Sequence, residues 1–310
     1  MITSFFKTSK PIHYIFFTIL LLVLFFYQRV FEADFEINVL NCFNESAHLL
    51  VLIASLFTLV FIITKNSLTN NNSFAALFFC LFIGLLPEVL DSTPKLIANF
   101  FILLSLRRIV SLKNKKNIKK KILDATLWIC LAILFDSISI FFFAPLFIGL
   151  ALYSALEIKN ILITFYGVLA FGILLISFGL AIHDQLPTIN EYLPVISFET
   201  RNLSLEKNVL YSLVVVSVTL LGIVSYFLAA DSKNRLNRPS MLLFVTIIIT
   251  SFIAFLFSQS DGKDIYIFIV APSAILMANF SETTKLRWMP DLILVSLFTA
   301  IFIKIIANIS

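Results

Sequence analysis

The chain has 310 residues, of which 60% are hydrophobic and 13% are charged, and it contains 35 phenylalanines. A soluble domain carries about 25% charged residues, so this composition excludes an ordinary soluble domain and predicts that lipid surrounds most of the chain. The net charge of +5 does not indicate nucleic-acid binding, because the basic residues are confined to certain loops, as the positive-inside rule describes.

Few segments alternate polar and apolar residues, which disfavours a transmembrane β-barrel. We therefore predict an all-α protein, a polytopic bundle of transmembrane helices that forms one integral membrane domain over residues 1–310. Apolar runs of suitable length predict about eleven spans, with a range of nine to eleven. They lie near 11–29, 46–64, 73–87, 95–110, 122–135, 138–156, 160–182, 209–229, 241–257, 264–280 and 290–308.

Residues 122–156 form the least regular apolar region. As a single helix they would extend about 52 Å, at 1.5 Å per residue, which exceeds a single crossing of about 30 Å. Two short helices joined in a hairpin, with Asp136 at the tip, fit this length better, and a re-entrant segment is the alternative.

The charge distribution predicts the orientation of the bundle. With the N-terminus in the cytoplasm, seventeen of the 23 basic residues lie on the inner side and thirteen of the eighteen acidic residues lie outside. We therefore predict a bacterial cytoplasmic-membrane protein with a cytoplasmic N-terminus and an outer C-terminus. The first apolar run is predicted to be a retained span, since no small-x-small cleavage site follows it.

Two loops stand out from the others. The cytoplasmic loop 107–121 carries eight positive charges and no acid, which suits either a determinant of topology or a docking site for an anionic partner or a lipid-linked phosphate. The outer loop 183–208 is the longest polar segment and contains two prolines.

The first outer loop contains the segment "FEADFE", in which Glu32 and Asp34 have acid-x-acid spacing. A carboxylate near a low-dielectric boundary can act as a general base, and two together can hold a divalent cation. The simpler interpretation is a solvated outer loop. We assign Asp34 and Glu32 as the candidate catalytic pair.

Three further residues are candidates for substrate binding. Asp91 lies in the second outer loop, and Lys263 follows the tight-turn signal Asp261-Gly262, where it either meets a phosphate or neutralises its acidic neighbours. Asp136 lies in an apolar stretch, so it is either an intramembrane functional acid or a helix cap in water at the hairpin tip.

No cofactor is predicted. The three histidines and three cysteines lack the spacing of a metal site or a disulfide framework, although a divalent cation at the acids is compatible with the sequence. A P-loop, a GxGxxG motif and a nucleophile elbow are absent.

The opening "MITSFFKTSKPIHYI", the "FEADFE" loop and the closing "DGKDIYIFIVAPSAILMANF" resemble an uncharacterised family of bacterial polytopic membrane proteins of similar length. The layout is also similar to C-type glycosyltransferases, which use polyprenyl-phosphate-linked sugars. That second resemblance implies that Asp34 is the base, with Glu32 beside it, and that Lys263 is near the lipid phosphate. This chain departs from those enzymes in its short second outer loop and in lacking a soluble outer domain.

Three function hypotheses follow. The first is a small C-type-like transferase that acts on polyprenyl-linked substrates at the outer face. The second is a non-enzymatic scaffold or accessory subunit of an envelope complex, and the third is a transporter. The predicted partners are membrane lipids, together with a polyprenyl-phosphate-linked sugar under the first hypothesis or an envelope protein under the second.

Overall fold

A computed structural model describes residues 2–31, 39–183, 207–228, 238–258, 263–284, 286 and 288–309. Within these ranges all regular structure is helical, which confirms the all-α prediction. The α-helices are α1 (Ile2–Phe6), α2 (Pro11–Phe31), α3 (Val39–Asn66), α4 (Phe74–Leu85), α5 (Thr93–Val110), α6 (Ile118–Phe135), α7 (Phe143–Leu152), α8 (Ile158–His183), α9 (Lys207–Leu228), α10 (Arg238–Phe257), α11 (Ile267–Thr283) and α12 (Trp288–Ile309). Short 3-10 turns cover Pro87–Leu90, Ser111–Asn114, Ser137–Phe142 and Lys263–Tyr266.

Seven apolar segments are long enough to cross a membrane, since about 20 residues of helix span the hydrocarbon core. They are Pro11–Arg29, Phe43–Asn66, Ile158–Ala181, Leu210–Phe227, Arg238–Phe257, Asp264–Thr283 and Trp288–Ala307. The protein is therefore a multi-pass helical membrane protein. The remaining predicted spans are shorter or more polar helices.

The core of the bundle is built around α4 and α11, which pack against each other. All twelve residues of α4 are buried, and 83% of the apolar segment that contains α11 is buried. A helix that is apolar on every face is stable only when it is covered on every face. The sequence of α4, "FAALFFCLFIGL", has this character and so occupies the centre.

Helix α8 is at the opposite extreme, because only 11% of its apolar segment is buried. It packs against α6, where Gly167 lies against Thr126. An alanine Cβ at Gly167 would come within 2.9 Å of the Thr126 methyl group, so the small residue permits this close approach.

The region 122–156 forms a hairpin. Helix α6 ends at Phe135, Asp136 turns the chain, and the 3-10 turn Ser137–Phe142 and α7 pack back against α6. The predicted tip at Asp136 is correct, while the returning arm begins as a 3-10 turn and its helix ends at Leu152.

Consecutive long segments run in opposite directions, so the turns alternate between two ends of the bundle. At one end α2, α4, α6, α10 and α12 finish and α3, α5 and α11 begin; we call it the ion-pair end. At the other end lies the loop between α5 and α6, and we call it the basic-loop end.

The basic-loop end is joined by hydrogen bonds between distant segments. The carboxylate of Glu282 accepts from the backbone N–H and side-chain amide of Asn70, both at 3.0 Å, and from the amide of Asn72. The backbone N–H of Thr3 donates to Asp291 at 2.9 Å. These contacts hold the end of α11 and the start of α12 against the N-terminal helices.

Candidate functional site

The ion-pair end contains most of the charged side chains that the helices hold close together. Lys95 comes from the first turn of α5, after Pro94, and it is only 8% exposed. Its ammonium Nζ lies 2.6 Å from Oδ2 of Asp264, in the 3-10 turn before α11. A buried ammonium group requires such a partner, because burial of an unpaired charge is very unfavourable.

A second ion pair joins the last helix to the end of α4. Lys304 of α12 is 3% exposed, and its Nζ lies 2.9 Å from Oε1 of Glu88. The same Nζ donates to the carbonyl of Leu85 at 3.1 Å and lies 4.9 Å from the ring centre of Tyr211. The last carbonyls of a helix lack intrahelical partners. Lys304 therefore does two things at once: it donates a hydrogen bond to the Leu85 carbonyl at the end of α4, and it neutralises the Glu88 carboxylate.

A third ion pair joins α2 to α3. The guanidinium Nε of Arg29 lies 2.8 Å from Oε2 of Glu45, and its Nη2 donates to the carbonyl of Leu90 at 3.1 Å. The imidazole Nδ1 of His48 lies 3.3 Å from the same carboxylate oxygen and 3.2 Å from the hydroxyl of Thr93. Arg29 therefore connects three segments.

Asp91, a predicted substrate-binding residue, is held by the end of α2. Its Oδ1 accepts a hydrogen bond from Nε2 of Gln28 at 3.0 Å. Asp91 is exposed, while Gln28 is 1% exposed. The Asp91 carboxylate is therefore exposed to solvent and is held from the interior by the Gln28 amide.

Asp136, the second predicted substrate-binding residue, combines features of both sequence-based interpretations. Its Oδ1 accepts from the backbone N–H of Ile138 at 3.4 Å, so it caps the 3-10 turn. Its Oδ2 is buried and has no hydrogen-bond partner among the described residues. Burial raises the pKa of Asp136, and the positive charge of Lys95 acts in the opposite direction.

The remaining predicted site residues are placed only in part. Glu32 and Asp34 lie outside the described residues. The backbone of Lys263 opens the 3-10 turn Lys263–Tyr266, which precedes α11. Of the predicted set, the structure brings Asp136 within electrostatic reach of Lys95 and Asp264.

Sequence reasoning missed the partners that organise this end, above all Lys95, Glu88 and Lys304. A usable signal exists for Lys304, because it interrupts the apolar run "AIFIKIIANI". A charge inside an apolar span predicts a buried partner. The identity of that partner is not encoded locally, since Glu88 is more than 200 residues away.

At the ion-pair end, the positive charges of Arg29, Lys95 and Lys304 are neutralised by contacts between segments. Each of the three ion pairs joins a cation on one segment to a carboxylate on another. Among the described residues, no group of three histidine, cysteine or acidic side chains is arranged to hold a metal ion.

Comparison with known proteins places the chain in a family without assigning an activity. No curated protein and no solved structure matches it. The comparisons therefore give no support to the resemblance to C-type glycosyltransferases, while they confirm the resemblance to an uncharacterised family. The model of DUF6427, a family of unknown function, matches residues 6–309, and the chain belongs to that family.

Proposed function

We propose that this protein is a non-catalytic accessory subunit of a membrane assembly in the bacterial cytoplasmic membrane. The observation that carries the proposal is the neutralisation of Lys95, Lys304 and Arg29 by carboxylates of other segments. These contacts join segments to one another, which suits a protein whose task is to keep a fixed shape.

The energetics of the ion pairs favour this role over lipid-phosphate chemistry. A transferase for polyprenyl-phosphate substrates needs cations that can bind phosphate. To bind phosphate, Lys95 or Lys304 would have to release Asp264 or Glu88. Removing one partner from a buried ion pair costs about 3–5 kcal/mol, and these carboxylates would then remain uncompensated at the ion-pair end.

The proposed topology has eleven crossings, a cytoplasmic N-terminus and an outer C-terminus. It is supported by the alternation of turns between the two ends and by the concentration of basic residues in the loop 107–121. The basic-loop end then faces the cytoplasm, and the outer face carries the ion pairs.

The proposed docking surface for the protein partner is a set of four exposed lysines at the start of α6 and in the turn before it. They are Lys115, Lys116, Lys119 and Lys120. Lys115 has a positive φ of 50° and Asn117 has one of 51°, so both residues of this turn adopt the left-handed backbone conformation. The complementary partner is a protein with an acidic cytoplasmic segment.

The test compares the native chain with a variant in which these four lysines are glutamine. Both are purified through an affinity tag from their own membranes in a mild detergent. We expect the native chain to retain a partner at a constant molar ratio, and the variant to lose it while keeping the same melting temperature. A monodisperse chain without any partner, or a partner retained by the variant, contradicts the proposal.

A second candidate function is the C-type-like transferase, with Asp34 as base, Glu32 beside it, and Asp91, Asp136 and Lys263 at the substrate. The observation that favours it is the buried Oδ2 of Asp136, which lacks a hydrogen-bond partner among the described residues near the Lys95–Asp264 pair. Such a carboxylate oxygen can accept a hydrogen bond from a hydroxyl group of a substrate.

This candidate predicts that deletion of the gene changes the envelope glycans, and that a copy carrying Asp34→Asn fails to restore them. The matched control is Glu36→Gln, which removes a neighbouring acid of the same loop. Full complementation by Asp34→Asn, at equal protein abundance, excludes Asp34 as the base.

A further inference from the structure

A groove lies between α3 and α5 on the lipid-facing side of the bundle, and Arg107 lines it towards the basic-loop end. Its volume is about 300 Å³. Its lining residues are Ala54, Phe57, Thr58, Phe61, Phe100 and Arg107.

The lining follows from helix periodicity. Four of these residues recur along α3 at spacings of three and four, and the two from α5 are seven residues apart, so each set lies on one helix face. The contact of Thr93 with His48 and of Arg107 with Phe61 shows that α3 and α5 run in the same direction. The groove therefore extends along both helices and ends at the basic-loop end.

The groove is apolar along its length and positively charged where it ends. The Arg107 guanidinium lies 4.4 Å from the centre of the Phe61 ring, and Nζ of Lys65 lies 5.1 Å from the same centre. Both Phe57 and Phe61 are exposed. A cation above an aromatic ring remains able to donate its outer hydrogens to an anion.

The charge at this end of the groove is not balanced by acids. The neighbouring Arg108 pairs with Asp124 at 2.9 Å. Among the described residues neither Arg107 nor Lys65 forms an ion pair with a carboxylate, and Asp124, already paired with Arg108, is the acid that attracts Arg107. The ammonium group of Lys121 donates to the carbonyl of Ser111 and is subject to the positive charges of Arg108 and Lys65. Four cations thus surround one acid.

We propose that this groove binds an anionic phospholipid, with an acyl chain against Phe57, Phe100 and Ala54 and the phosphate on Arg107 and Lys65. The order of the surfaces matches the order of groups in such a lipid, because the apolar part lies deeper in the bundle and the cations lie where α3 and α5 end. Arginine presents a planar pair of donors that fits two phosphate oxygens. Basic pockets between helices on the cytoplasmic side are suited to anionic head groups.

The charge complementarity selects a lipid over a second copy of this chain. A protein helix in the groove would place apolar side chains against Phe57 and Phe61 and leave Arg107 and Lys65 without an anion. The proposal is independent of the partner subunit, since the exposed lysines 115, 116, 119 and 120 do not line the groove.

Native mass spectrometry of the purified full-length chain tests the site directly. The probes are dioleoyl phosphatidylglycerol, dioleoyl phosphatidylcholine and glycerol phosphate. We expect tight binding of phosphatidylglycerol, weaker binding of phosphatidylcholine, and no competition by glycerol phosphate at equal concentration. Arg107→Gln should weaken the binding of phosphatidylglycerol by about tenfold, as expected for loss of a hydrogen bond to a charged group.

Two further variants separate the charge from the groove. Lys159→Gln removes an exposed charge at the same end and should leave lipid binding unchanged. Ala54→Trp fills the groove while keeping both cations, and it should also weaken the binding of phosphatidylglycerol. This variant tests the site even if Arg107→Gln lowers the melting temperature. Unchanged binding in Ala54→Trp, equal binding of the two lipids, or full competition by glycerol phosphate overturns the proposal.

Discussion

The ammonium group of Lys304 lies 2.9 Å from the carboxylate of Glu88, although the lysine is only 3% exposed. The pair connects the last helix of the chain to the 3-10 turn that follows its most buried helix. This contact closes the bundle between two segments that are far apart in sequence, so its removal should affect the whole fold.

The first prediction concerns this pair. Lys304→Met should lower the free energy of unfolding by about 3–5 kcal/mol, because it leaves the largely buried Glu88 without a counter-charge. The double variant Lys304→Met with Glu88→Gln should recover much of that loss, since no unpaired charge remains. Melting temperatures in detergent measure both, with Lys159→Met as a control at an exposed position. Equal loss in the single and double variants would show that the lysine stabilises by packing alone.

The second prediction concerns pH and Asp136. Burial raises the pKa of this carboxyl above its ordinary value of 3.8, so the native state binds the proton more tightly than the unfolded state. The contribution of Asp136 to stability is therefore full below pH 3.8 and is lost as the pH rises through the native pKa.

Asp136→Asn keeps a capping oxygen and removes the ionisation. We expect it to raise the melting temperature more at about pH 8 than at about pH 4, because the buried Asp136 carboxyl of the native chain carries less charge at the lower pH. The control is Glu157→Gln, which alters an exposed carboxylate at the other end. A stabilisation by Asp136→Asn that is the same at both pH values would contradict the assignment of buried charge.

The third prediction compares two glycines in the membrane. A Cβ added at Gly149 of α7 would collide with Cγ2 of Ile109 on α5, whereas at Gly172 of α8 it would meet nothing within 4 Å. Gly149→Ala should therefore destabilise the protein by about 1–3 kcal/mol through overpacking. Gly172→Ala should be neutral or stabilising, by up to about 1 kcal/mol, because alanine has the higher helix propensity.

Thermal unfolding in detergent measures this difference. The two substitutions are chemically identical, so any difference between them reports the surroundings of each glycine. A destabilising Gly172→Ala would indicate that a partner helix covers α8 in the membrane.

The fourth prediction concerns the proposed topology. Single cysteines are introduced into a cysteine-free chain and labelled in intact cells with a membrane-impermeant maleimide. Cysteines at Asp91 and Ser137, which lie at the ion-pair end, should be labelled from outside. Cysteines at Lys116 and Lys159, at the basic-loop end, should be labelled only after the membrane is opened. Protection of Ser137→Cys in intact cells would instead indicate that the hairpin 118–152 does not reach the outer surface.

The sequence predicted the helices well because apolar run length is a local property. Each of the eleven predicted runs contains an α-helix in the described residues, and α6 ends at Phe135 as expected from the length argument. The apolar pattern predicts Pro87 as the end of a span and gives no sign of the 3-10 turn Pro87–Leu90, yet this turn presents Glu88 to Lys304.

Pairing between helices was beyond local reasoning. The carboxylate of Asp264 binds Lys95 of α5, a contact between distant segments that no local pattern around Asp264 predicts. Arg29 follows an apolar run at the end of α2, and its guanidinium binds Glu45 and the carbonyl of Leu90 on other segments. Both outcomes depend on which helices become neighbours, and a single sequence of uniformly apolar helices contains little information about that choice.

The complete burial of α4 has a consequence for biosynthesis. At 1.5 Å per residue its twelve residues extend about 18 Å, well short of the hydrocarbon core of about 30 Å. Much of the surface that covers it comes from α11 and α12, where Ile301 lies 3.0 Å from the position of a Cβ on Gly84. A ribosome makes those helices almost 200 residues later. Helix α4 therefore stays incompletely covered in the membrane until α11 and α12 have been synthesised. A chain that ends before Ile267 lacks both of these helices and leaves that part of the α4 surface unpacked.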